Sequence, residues 1–555
     1  MVIISFVFCL VLYIVLVPKL FPFKAKLLYE GDGTSSPEFG QFCKNWFFRG
    51  EVARFEFEVQ NPYFRKVEVE VCLAPFDNPS SRLKIIDFQV DRSRLFFPSV
   101  TTQEFEIDTG ALNSSLYEVQ FYVDGIVKYA DLTPAASNIE SYPWMLCVME
   151  HLNSSTVEQH GGIPELKVPW GLGVNIHFIK PSPSQEIDLD MMRNAGFKLI
   201  RMDFAWDSGE SQRGVYDFSG YQVLTEELKR RDIRPLYILD YGNPLYDGGL
   251  APHTDDGRMA FALFASAAVK RFENCDVIWE IWNEPNGDFW KPSPNVTDYT
   301  TLAIKAAKQM REIQGNCTII APATSGVDTG FIDAATRMGL RDYLSAVSIH
   351  PYRDSAPETA ISEYEDLRRI IGNITLVSSE WGYTTSGSYG NRVDLVTQAK
   401  YTVRIYLTNL MNGIPISIIY DWKDDGLSLQ DSEQNFGLIA DHDESKQPLG
   451  YECFYIKPSY FALYNFVKEL YGYSPSNAPD LGDGIYALSF LRGDSRKLVL
   501  WTQGIPLEQR EVELKFNSTR IEIDRMFGMR NEIVSENGVF KLTVDDSPII
   551  VSTKG

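Results

Sequence analysis

Between about residue 170 and residue 422 the chain alternates short apolar runs with helical segments, and this alternation restricts the fold more than any other feature. Eight runs have the length and residue types of buried parallel strands. They lie at 171–178, 197–204, 235–240, 277–282, 318–321, 346–352, 375–380 and 416–422. The first helical segment has a capping box at Ser182 and Gln185 and ends at Gly196. Eight strands alternating with helices predict a (β/α)8 barrel.

The segments on both sides of this region follow another pattern, in which apolar and polar residues alternate. It is found at 54–59 and 66–71 before the barrel, and at 497–501 and 511–516 after it. A period of two is typical of half-buried strands. The expected fold class is therefore α/β, a (β/α)8 TIM barrel flanked by an N-terminal and a C-terminal β-sandwich domain. The expected bounds are 30–160 for the first sandwich, 165–470 for the barrel and 471–555 for the second sandwich.

The N-terminal segment is apolar, because residues 1–17 carry no charged side chain. This is the lower limit for spanning a bilayer, and no Ala-x-Ala cleavage site follows, so residues 1–25 are interpreted as an uncleaved signal anchor. The lysines that follow would keep the chain in the cytoplasm by the positive-inside rule. Sequons for N-glycosylation favour export instead, and they begin at Asn113, Asn153, Asn295, Asn316, Asn373 and Asn517. We expect a membrane-anchored or secreted glycoprotein with an extracytoplasmic catalytic domain, and membrane contact through the N-terminal segment only.

The charge and the cysteines limit the partners and the cross-links. A net charge of −22 with a pI near 4.8 argues against nucleic acid and against anionic membranes as partners. A strongly anionic polysaccharide would also be repelled, unless the cleft carries basic residues. Cys275 and Cys317 each precede a predicted strand, and those strands are neighbours in the barrel. A disulfide between them and two buried free thiols are equally compatible with the sequence.

Two glutamates mark the strand ends where chemistry is expected. Glu284 follows the run 277–282 within Asn283-Glu284-Pro285, and Glu380 ends the run 375–380. They are separated by about three strand–helix units of roughly 30 residues, and such strand ends converge on one face of a barrel. Two carboxyl groups there are what glycoside hydrolysis needs. Burial at a strand end would raise the pKa of Glu284, as a proton donor requires. The alternative for Asn283 and Glu284 is a turn whose polar residues only satisfy the backbone.

The pair resembles the catalytic pair of the clan A glycoside hydrolases. This resemblance implies a retaining enzyme in which Glu284 is the acid/base and Glu380 is the nucleophile. The motifs at 173–177, 200–206, 239–249 and 420–426 are similar to family 39-type glycosidases, most of all to the branch that cuts bacterial exopolysaccharides of biofilms. The similarity covers Trp170 to Tyr464. Family 39 also contains exo-acting β-xylosidases and α-L-iduronidases, so substrate and mode of attack stay open.

Further site residues follow from the same resemblance. Arg201 matches the clan position that keeps the nucleophile ionised, although an arginine paired with Asp203 is the alternative. His350 and Tyr352 match positions that line the cleft and orient the nucleophile. The substrate-binding set is completed by Asn283, which can hydrogen-bond a sugar hydroxyl, by His177, and by Trp422 as an aromatic platform. Other aromatic residues either extend that surface or belong to the core, namely Trp206, Trp282, Trp290, Trp381 and Tyr241.

The predicted function is a retaining glycoside hydrolase that attacks an extracellular polysaccharide internally. The alternatives are an exo-acting, xylosidase-like β-glycosidase on oligosaccharides and an inactive carbohydrate-binding scaffold. The acidic clusters at 421–426 and 441–444 lack the spacing of a calcium loop, and there is no paired histidine motif. No metal and no other cofactor are therefore expected.

Overall fold

The computed structural model describes residues 24–31, 33, 35–36, 40–94, 97–128, 144–152, 161–441, 452–504 and 509–553. The predicted anchor, 1–25, lies outside these residues except for 24 and 25, which begin a strand. The sequon at Asn153 also lies outside them. Within the described part of the chain, no helix is both long and apolar enough to cross a membrane. The described residues form two compact units, one from those within 1–151, 424–461 and 524–530, the other from those within 152–423, 462–523 and 531–555.

The first unit is a β-sandwich. Its first eleven strands are β1 (Lys24–Gly31), β2 (Ser35–Ser36), β3 (Gly40–Lys44), β4 (Trp46–Phe48), β5 (Val52–Asn61), β6 (Val67–Pro75), β7 (Leu83–Val90), β8 (Ser99–Asp108), β9 (Ser115–Val123), β10 (Ile126–Lys128) and β11 (Met145–Met149). One sheet has the order β1-β5-β8, and the other has β4-β11-β9-β6-β7 with β10 beside β9. The inward side chains of both sheets, such as Phe57 and Val71, share one apolar cluster. The predicted alternation is confirmed by this arrangement.

The barrel is the centre of the second unit. Its strands are β12 (Leu172–Asn175), β13 (Leu199–Ala205), β14 (Arg234–Asp240), β15 (Ile278–Ile281), β16 (Thr318–Ser325), β17 (Ala346–His350), β18 (Thr375–Trp381) and β19 (Ser417–Ile419). They follow one another in parallel around a closed barrel, in which β12 also pairs with β19. Apolar side chains such as Leu236, Ile320 and Ile418 fill its interior. The polar residues of the strand ends therefore lie above a packed floor.

Helices connect the barrel strands. They are α1 (Pro183–Ala195), α2 (Trp206–Gly209), α3 (Ser219–Arg230), α4 (Asp255–Arg271), α5 (Val296–Ile313), α6 (Thr329–Arg337), α7 (Ile361–Ile371) and α8 (Leu395–Met411). The predicted capping box of α1 is present, and Gly196 ends this helix in the left-handed conformation with φ 89°. The side chain of Asn295 caps α5 by accepting hydrogen bonds from two backbone N–H groups. This cap gives Asn295 a structural role that does not need a glycan.

The cysteine pair next to the barrel strands is not cross-linked. Cys275 and Cys317 are both free thiols, the first partly exposed and the second buried. The sequence allowed a disulfide or two free thiols, and the structure shows two free thiols. The adjacency of the two strands was not enough to predict a disulfide, because a disulfide also needs the two Cβ atoms to point at each other.

The C-terminal part returns to β-structure. It contains β20 (Glu452–Phe454), α9 (Pro458–Leu470), β21 (Ser474–Ser476), β22 (Ile485–Arg492), β23 (Ser495–Thr502), β24 (Arg510–Leu514), β25 (Arg520–Asp524), β26 (Arg530–Val534), β27 (Phe540–Val544) and β28 (Ile549–Thr553). One sheet has the order β21-β22-β23-β28-β25-β26, and β24 pairs with β27. Leu500, Val512 and Phe540 bury their side chains in a common cluster between these sheets. The expected second sandwich is confirmed.

Candidate active site

Arg201 is the positive charge around which the strand ends are arranged. It lies in the third position of β13, and its side chain is 1% exposed. Its Nε donates to Glu280 over 2.7 Å, Nη1 donates to Glu380 over 2.5 Å, and Nη2 donates to Asn283 over 2.8 Å. Burial disfavours the charge, but the carboxylates of Glu280 and Glu380 outweigh it and raise the pKa of Arg201. The expected contact of Arg201 with Glu380 is thus present, while the alternative ion pair with Asp203 is replaced by the pair with Glu280.

Glu380 is held from two sides. One carboxylate oxygen accepts the hydrogen bond from Arg201, and the other accepts from the Tyr352 hydroxyl over 2.8 Å. Burial and the neighbouring charge of Glu380 raise the pKa of Tyr352, so this hydroxyl stays a donor. Two charge-assisted hydrogen bonds fix the orientation of the carboxylate and stabilise its negative charge.

Glu284 stands in a tight turn beyond β15. The backbone has positive φ at Trp282 (70°) and at Glu284 (44°), and the Glu284 N–H donates to the carbonyl of Ala323. Such conformations cost free energy in residues other than glycine and are concentrated at functional sites. The turn directs the Glu284 carboxylate to Nδ1 of His350 over 2.9 Å.

The pKa of Glu284 differs from the sequence-based expectation. Burial raises it, as expected, but the hydrogen bond from His350 and the charge of Arg201 outweigh burial and lower the pKa. The expected rise is therefore wrong for the unliganded site. The sequence could not show this, because His350 and Arg201 reach Glu284 from other strands.

His350 is fully buried and joins the two glutamates. Its Nε2 faces Nη2 of Arg201 over 3.2 Å, and Arg201 can only donate, so Nε2 must be the acceptor. Nδ1 then carries the proton and donates to Glu284, and it lies 4.0 Å from Glu380. The ligand atoms of Glu284, His350 and Glu380 all lie within 4.8 Å of one another, which is a spacing that a metal ion would accept. An imidazole that accepts from a guanidinium at Nε2 and donates to a carboxylate from Nδ1 fits a hydrogen-bonded network better, so the expectation of no metal stays a prediction.

His177 and Trp422 occupy different surroundings. His177 follows β12, its side chain is 49% exposed, and its Nε2 lies 3.0 Å from Asp421. Trp422, by contrast, is 2% exposed, and its ring meets that of Phe197 edge to face. A ring enclosed in this way offers no face to a sugar, so the position of Trp422 does not support the expected platform. Its side chain packs with Phe197, which precedes β13.

The other candidate aromatic residues fall into two groups, which differ in the exposure of their side chains. Four of them are core residues with exposures of 2% or less, namely Trp206, Trp282, Trp290 and Trp381. Tyr241 is only half-buried, and its ring stacks on Phe289 with 5.5 Å between centroids. Phe289 is 46% exposed. Tyr241 also meets Trp282 edge to face, so this aromatic pair lies next to the turn that carries Glu284.

Three residues of the site were missed by sequence reasoning. Glu280 carried a signal, since it is the charged residue within an otherwise apolar strand, and it proves to be a partner of Arg201. Asp240 ends β14 and is fully buried. Phe289 carried no signal, because an aromatic residue in a loop does not show on which surface it lies.

Comparison with known proteins gives similar proteins for the barrel and its fold. Residues 168–423 match the family model described as cellulase, glycosyl hydrolase family 5. No curated protein sequence matched the chain. Residues 168–423 thus form a glycoside hydrolase domain that is similar to the clan A enzymes. Its family 39-type fold is confirmed by a solved family 39 glycoside hydrolase from the gut symbiont Bacteroides cellulosilyticus WH2, with a TM-score of 0.64 and 21% identity over 89% of this chain and 96% of that one.

Two further solved structures resemble this glycoside hydrolase. A family 39 β-xylosidase from Caulobacter crescentus has a TM-score of 0.51 and 17% identity, over 72% of this chain and 98% of that one. A family 30 endoxylanase from Clostridium papyrosolvens C71 has a TM-score of 0.50 and 14% identity, over 71% of this chain and 99% of that one. At these identities the likeness concerns the fold, and it leaves the substrate of this glycoside hydrolase open.

Proposed function

We propose that this glycoside hydrolase retains the anomeric configuration, with Glu380 as the nucleophile and Glu284 as the acid/base. The observation that carries the proposal is the closeness of the two carboxylates, which have an oxygen each within 4.8 Å of the other. Retaining enzymes hold their carboxyl groups about 5–5.5 Å apart, whereas inverting enzymes need about 6.5–9.5 Å to admit a water molecule. The site therefore favours a double displacement.

In the first step an oxygen of Glu380 attacks the anomeric carbon while Glu284 gives a proton to the leaving oxygen. Arg201 and Tyr352 keep Glu380 ionised and aimed, through the hydrogen bonds to its two oxygens. In the second step Glu284 removes a proton from water, and the resulting hydroxide displaces Glu380 from the sugar. The negative charge of Glu380 is absent while the sugar is bound to it, which lowers the proton affinity of Glu284 and suits it to act as a base.

The lowered pKa of Glu284 has a consequence for the pH profile. Glu284 must be protonated at the start, and kcat/KM reports the ionisation of the free enzyme. Because His350 lowers the pKa of Glu284 in the free enzyme, kcat/KM is expected to fall already as the pH rises through the acidic range. A kcat/KM profile on a soluble substrate, with stability checked at each pH, measures this. An alkaline optimum would contradict it.

We further propose internal attack on an extracellular polysaccharide. The exposed Phe289 ring, stacked on Tyr241 next to the turn that carries Glu284, supports this by offering a surface for a sugar beyond the one that reacts. A ladder of oligosaccharide products would agree with internal attack, whereas release of monosaccharides would favour the exo-acting alternative. Binding without any product would favour the inactive scaffold. Export and N-terminal anchoring belong to the same proposal, and an intact enzyme in the cytosolic fraction would contradict them.

The assignment of the two glutamates is tested by azide rescue. Glu284→Ala, with an activated aryl glycoside, should accumulate a glycosyl-enzyme that azide releases as a product of retained configuration. Glu380→Ala should be rescued only by attack of azide from the opposite face, which gives the inverted product. Glu312→Ala, an exposed glutamate on α5, is the matched control and should behave like the wild type. The opposite stereochemistry, or full activity of both variants, would refute the assignment.

A further inference from the structure

Asp203 and Asp240 place two more carboxyl groups inside the barrel mouth. Asp203 comes two residues after Arg201 in β13, and alternate residues of a strand face the same side. Asp240 ends β14 and is the register partner of Ala205, which shares that inner face. Both side chains therefore point to the interior, next to Arg201. The barrel holds them on two adjacent strands, and neither depends on a loop for its position.

Asp240 has an unusual environment for a carboxyl group. It is fully buried, and neither of its oxygens meets a hydrogen-bond donor. Its neighbour is the carboxyl group of Asp203, so a hydrogen bond between them requires a proton on one of the two. Burial and the charge of Asp203 raise the pKa of Asp240 well above its ordinary value, so Asp240 holds the proton and donates it towards Asp203. The buried residue thus orients the carboxylate in front of it.

Asp203 is the member of the pair that a ligand can reach. Its side chain is exposed to solvent, although protein atoms surround it on most sides. Burial raises the pKa of Asp203, and the charges of Arg201 and His177 act against that rise. Arg201, two residues earlier on the same face of β13, donates to Glu380, so Asp203 and Glu380 adjoin the same side chain. A sugar that presents its anomeric carbon to Glu380 therefore brings its own ring substituents to Asp203.

Arg201 has no pair of unused N–H donors with which to bind the carboxylate of an acidic substrate. A guanidinium has five N–H donors, and four of those in Arg201 already point at Glu280, Glu380, Asn283 and His350. A carboxylate on the bound sugar would face Asp203 and Glu380, while the donors of Arg201 are engaged and His177 is paired with Asp421. Ring hydroxyl groups, which donate hydrogen bonds, suit an acceptor such as Asp203.

We propose that Asp203, oriented by Asp240, binds hydroxyl groups of the sugar held against Glu380 and thereby selects uncharged sugars over uronic acids at that position. The inference rests on the proposed roles of Glu284 and Glu380, since it concerns the sugar that they attack. Only the sugar held against Glu380 has to be uncharged, and sugars bound elsewhere in the cleft can be neutral or acidic.

The test uses the fact that the sugar held against Glu380 becomes the new reducing end of the product. The full-length enzyme is incubated with xylan, glucan and mannan, and with polymers in which glucuronic, galacturonic or mannuronic acid alternates with neutral sugars. The new ends are labelled and identified by mass spectrometry. We expect neutral sugars at the new ends throughout, also in polymers that contain both kinds of sugar.

Variants then connect the selectivity with the two aspartates. Asp203→Asn should lower kcat/KM on a neutral polymer about ten- to hundredfold, because a charged acceptor is lost, and should raise the share of uronic acid ends. Asp240→Asn should keep most of the activity, because an amide N–H can donate to Asp203 as the acid does, whereas Asp240→Val should resemble Asp203→Asn. The control is Asp190→Asn, an exposed aspartate on α1 that pairs with Arg231, and it should leave both measurements unchanged. Melting temperatures verify that each variant is folded.

The outcomes separate this inference from the proposed function. Uronic acid ends from the wild type, with hydrolysis that still requires Glu284 and Glu380, would overturn the inference alone. Unchanged kcat/KM and unchanged end sugars in Asp203→Asn would do the same. If no polymer yields new ends, the proposed function fails and the inference falls with it.

Discussion

Two fully buried arginines of the second unit show how differently the same residue is used. Arg404 on α8 meets one carboxylate, Glu358, through two hydrogen bonds of 2.8 and 2.6 Å. The indole of Trp501 donates to the same carboxylate, so the barrel and the C-terminal sheet are joined there. Arg201 meets two carboxylates, and the pair of Asp203 and Asp240 lies next to it. One centre is balanced in charge, and the other has an excess of acid.

The difference teaches how to tell a structural ion pair from a reactive one. A buried pair that is matched one to one leaves no proton to move, and its loss is felt as lost stability. An excess of buried carboxyl groups forces some of them to keep protons, which perturbs their pKa values and makes proton transfer available. The following variants test this contrast between the Arg201 centre and the Arg404 centre.

The largest effect is expected from Glu380→Gln in the Arg201 centre. The amide cannot act as the nucleophile, so kcat should fall by about a thousandfold or more. The fold should survive, because Arg201 keeps its ion pair with the buried Glu280. Turnover and the melting temperature are measured on the same preparation. Loss of folding together with activity would mean that the Arg201 centre is mainly structural.

Glu358→Ala in the Arg404 centre should show the reverse behaviour. It leaves a buried guanidinium without its carboxylate and removes the acceptor of Trp501, at a cost of about 3–5 kcal/mol in the free energy of unfolding. Denaturant unfolding measures this loss, and kcat per folded molecule at low temperature should stay near that of the wild type. Glu363→Ala, whose carboxylate is exposed, serves as the control with little change. Equal stability of both variants would remove the contrast.

A smaller effect with a definite pH dependence is expected for Asp240→Asn. A carboxyl whose folded pKa is raised keeps its proton when the unfolded chain has lost it, so folding is weakened as the pH rises above the ordinary Asp value of 3.8. The asparagine variant has no such proton. It should therefore melt roughly a few degrees above the wild type at neutral pH, and this difference should vanish towards pH 3. A difference that does not vary with pH would show that Asp240 is not protonated in the fold.

The smallest effect is expected for Phe289→Ala, which removes the exposed ring that stacks on Tyr241. Stacking contributes about 0.5–1.5 kcal/mol, so kcat/KM on a polymer should fall about two- to tenfold. Activity on a short aryl glycoside should change less, because its sugar occupies only the position at Glu380. Leu263→Ala removes a comparably exposed apolar side chain from α4 and should change neither activity. Equal losses on polymer and aryl glycoside would place Phe289 outside the extended binding surface.

Some properties of the site could not be predicted because they depend on residues that are distant in sequence. The pKa of Glu284 was expected to rise from burial alone, and it is lowered by His350 and Arg201, which come from β17 and β13. Trp422 was expected to end a barrel strand, and it lies three residues beyond β19 with its ring packed against Phe197. Position along a strand indicates where a residue stands, and side-chain rotamers and neighbours decide what it touches.

The sequence by itself determined the order of strands and helices, the cap of α1 and the two glutamates at strand ends. These features are local, since a buried strand requires an apolar run and a helix start requires side-chain acceptors. The tertiary structure alone decided that Glu280 pairs with Arg201, that Asp240 is buried without a donor for its oxygens, and that Cys275 and Cys317 stay free thiols. Each of these depends on the distance and direction between atoms from different strands, and closure of the barrel is what brings those atoms together.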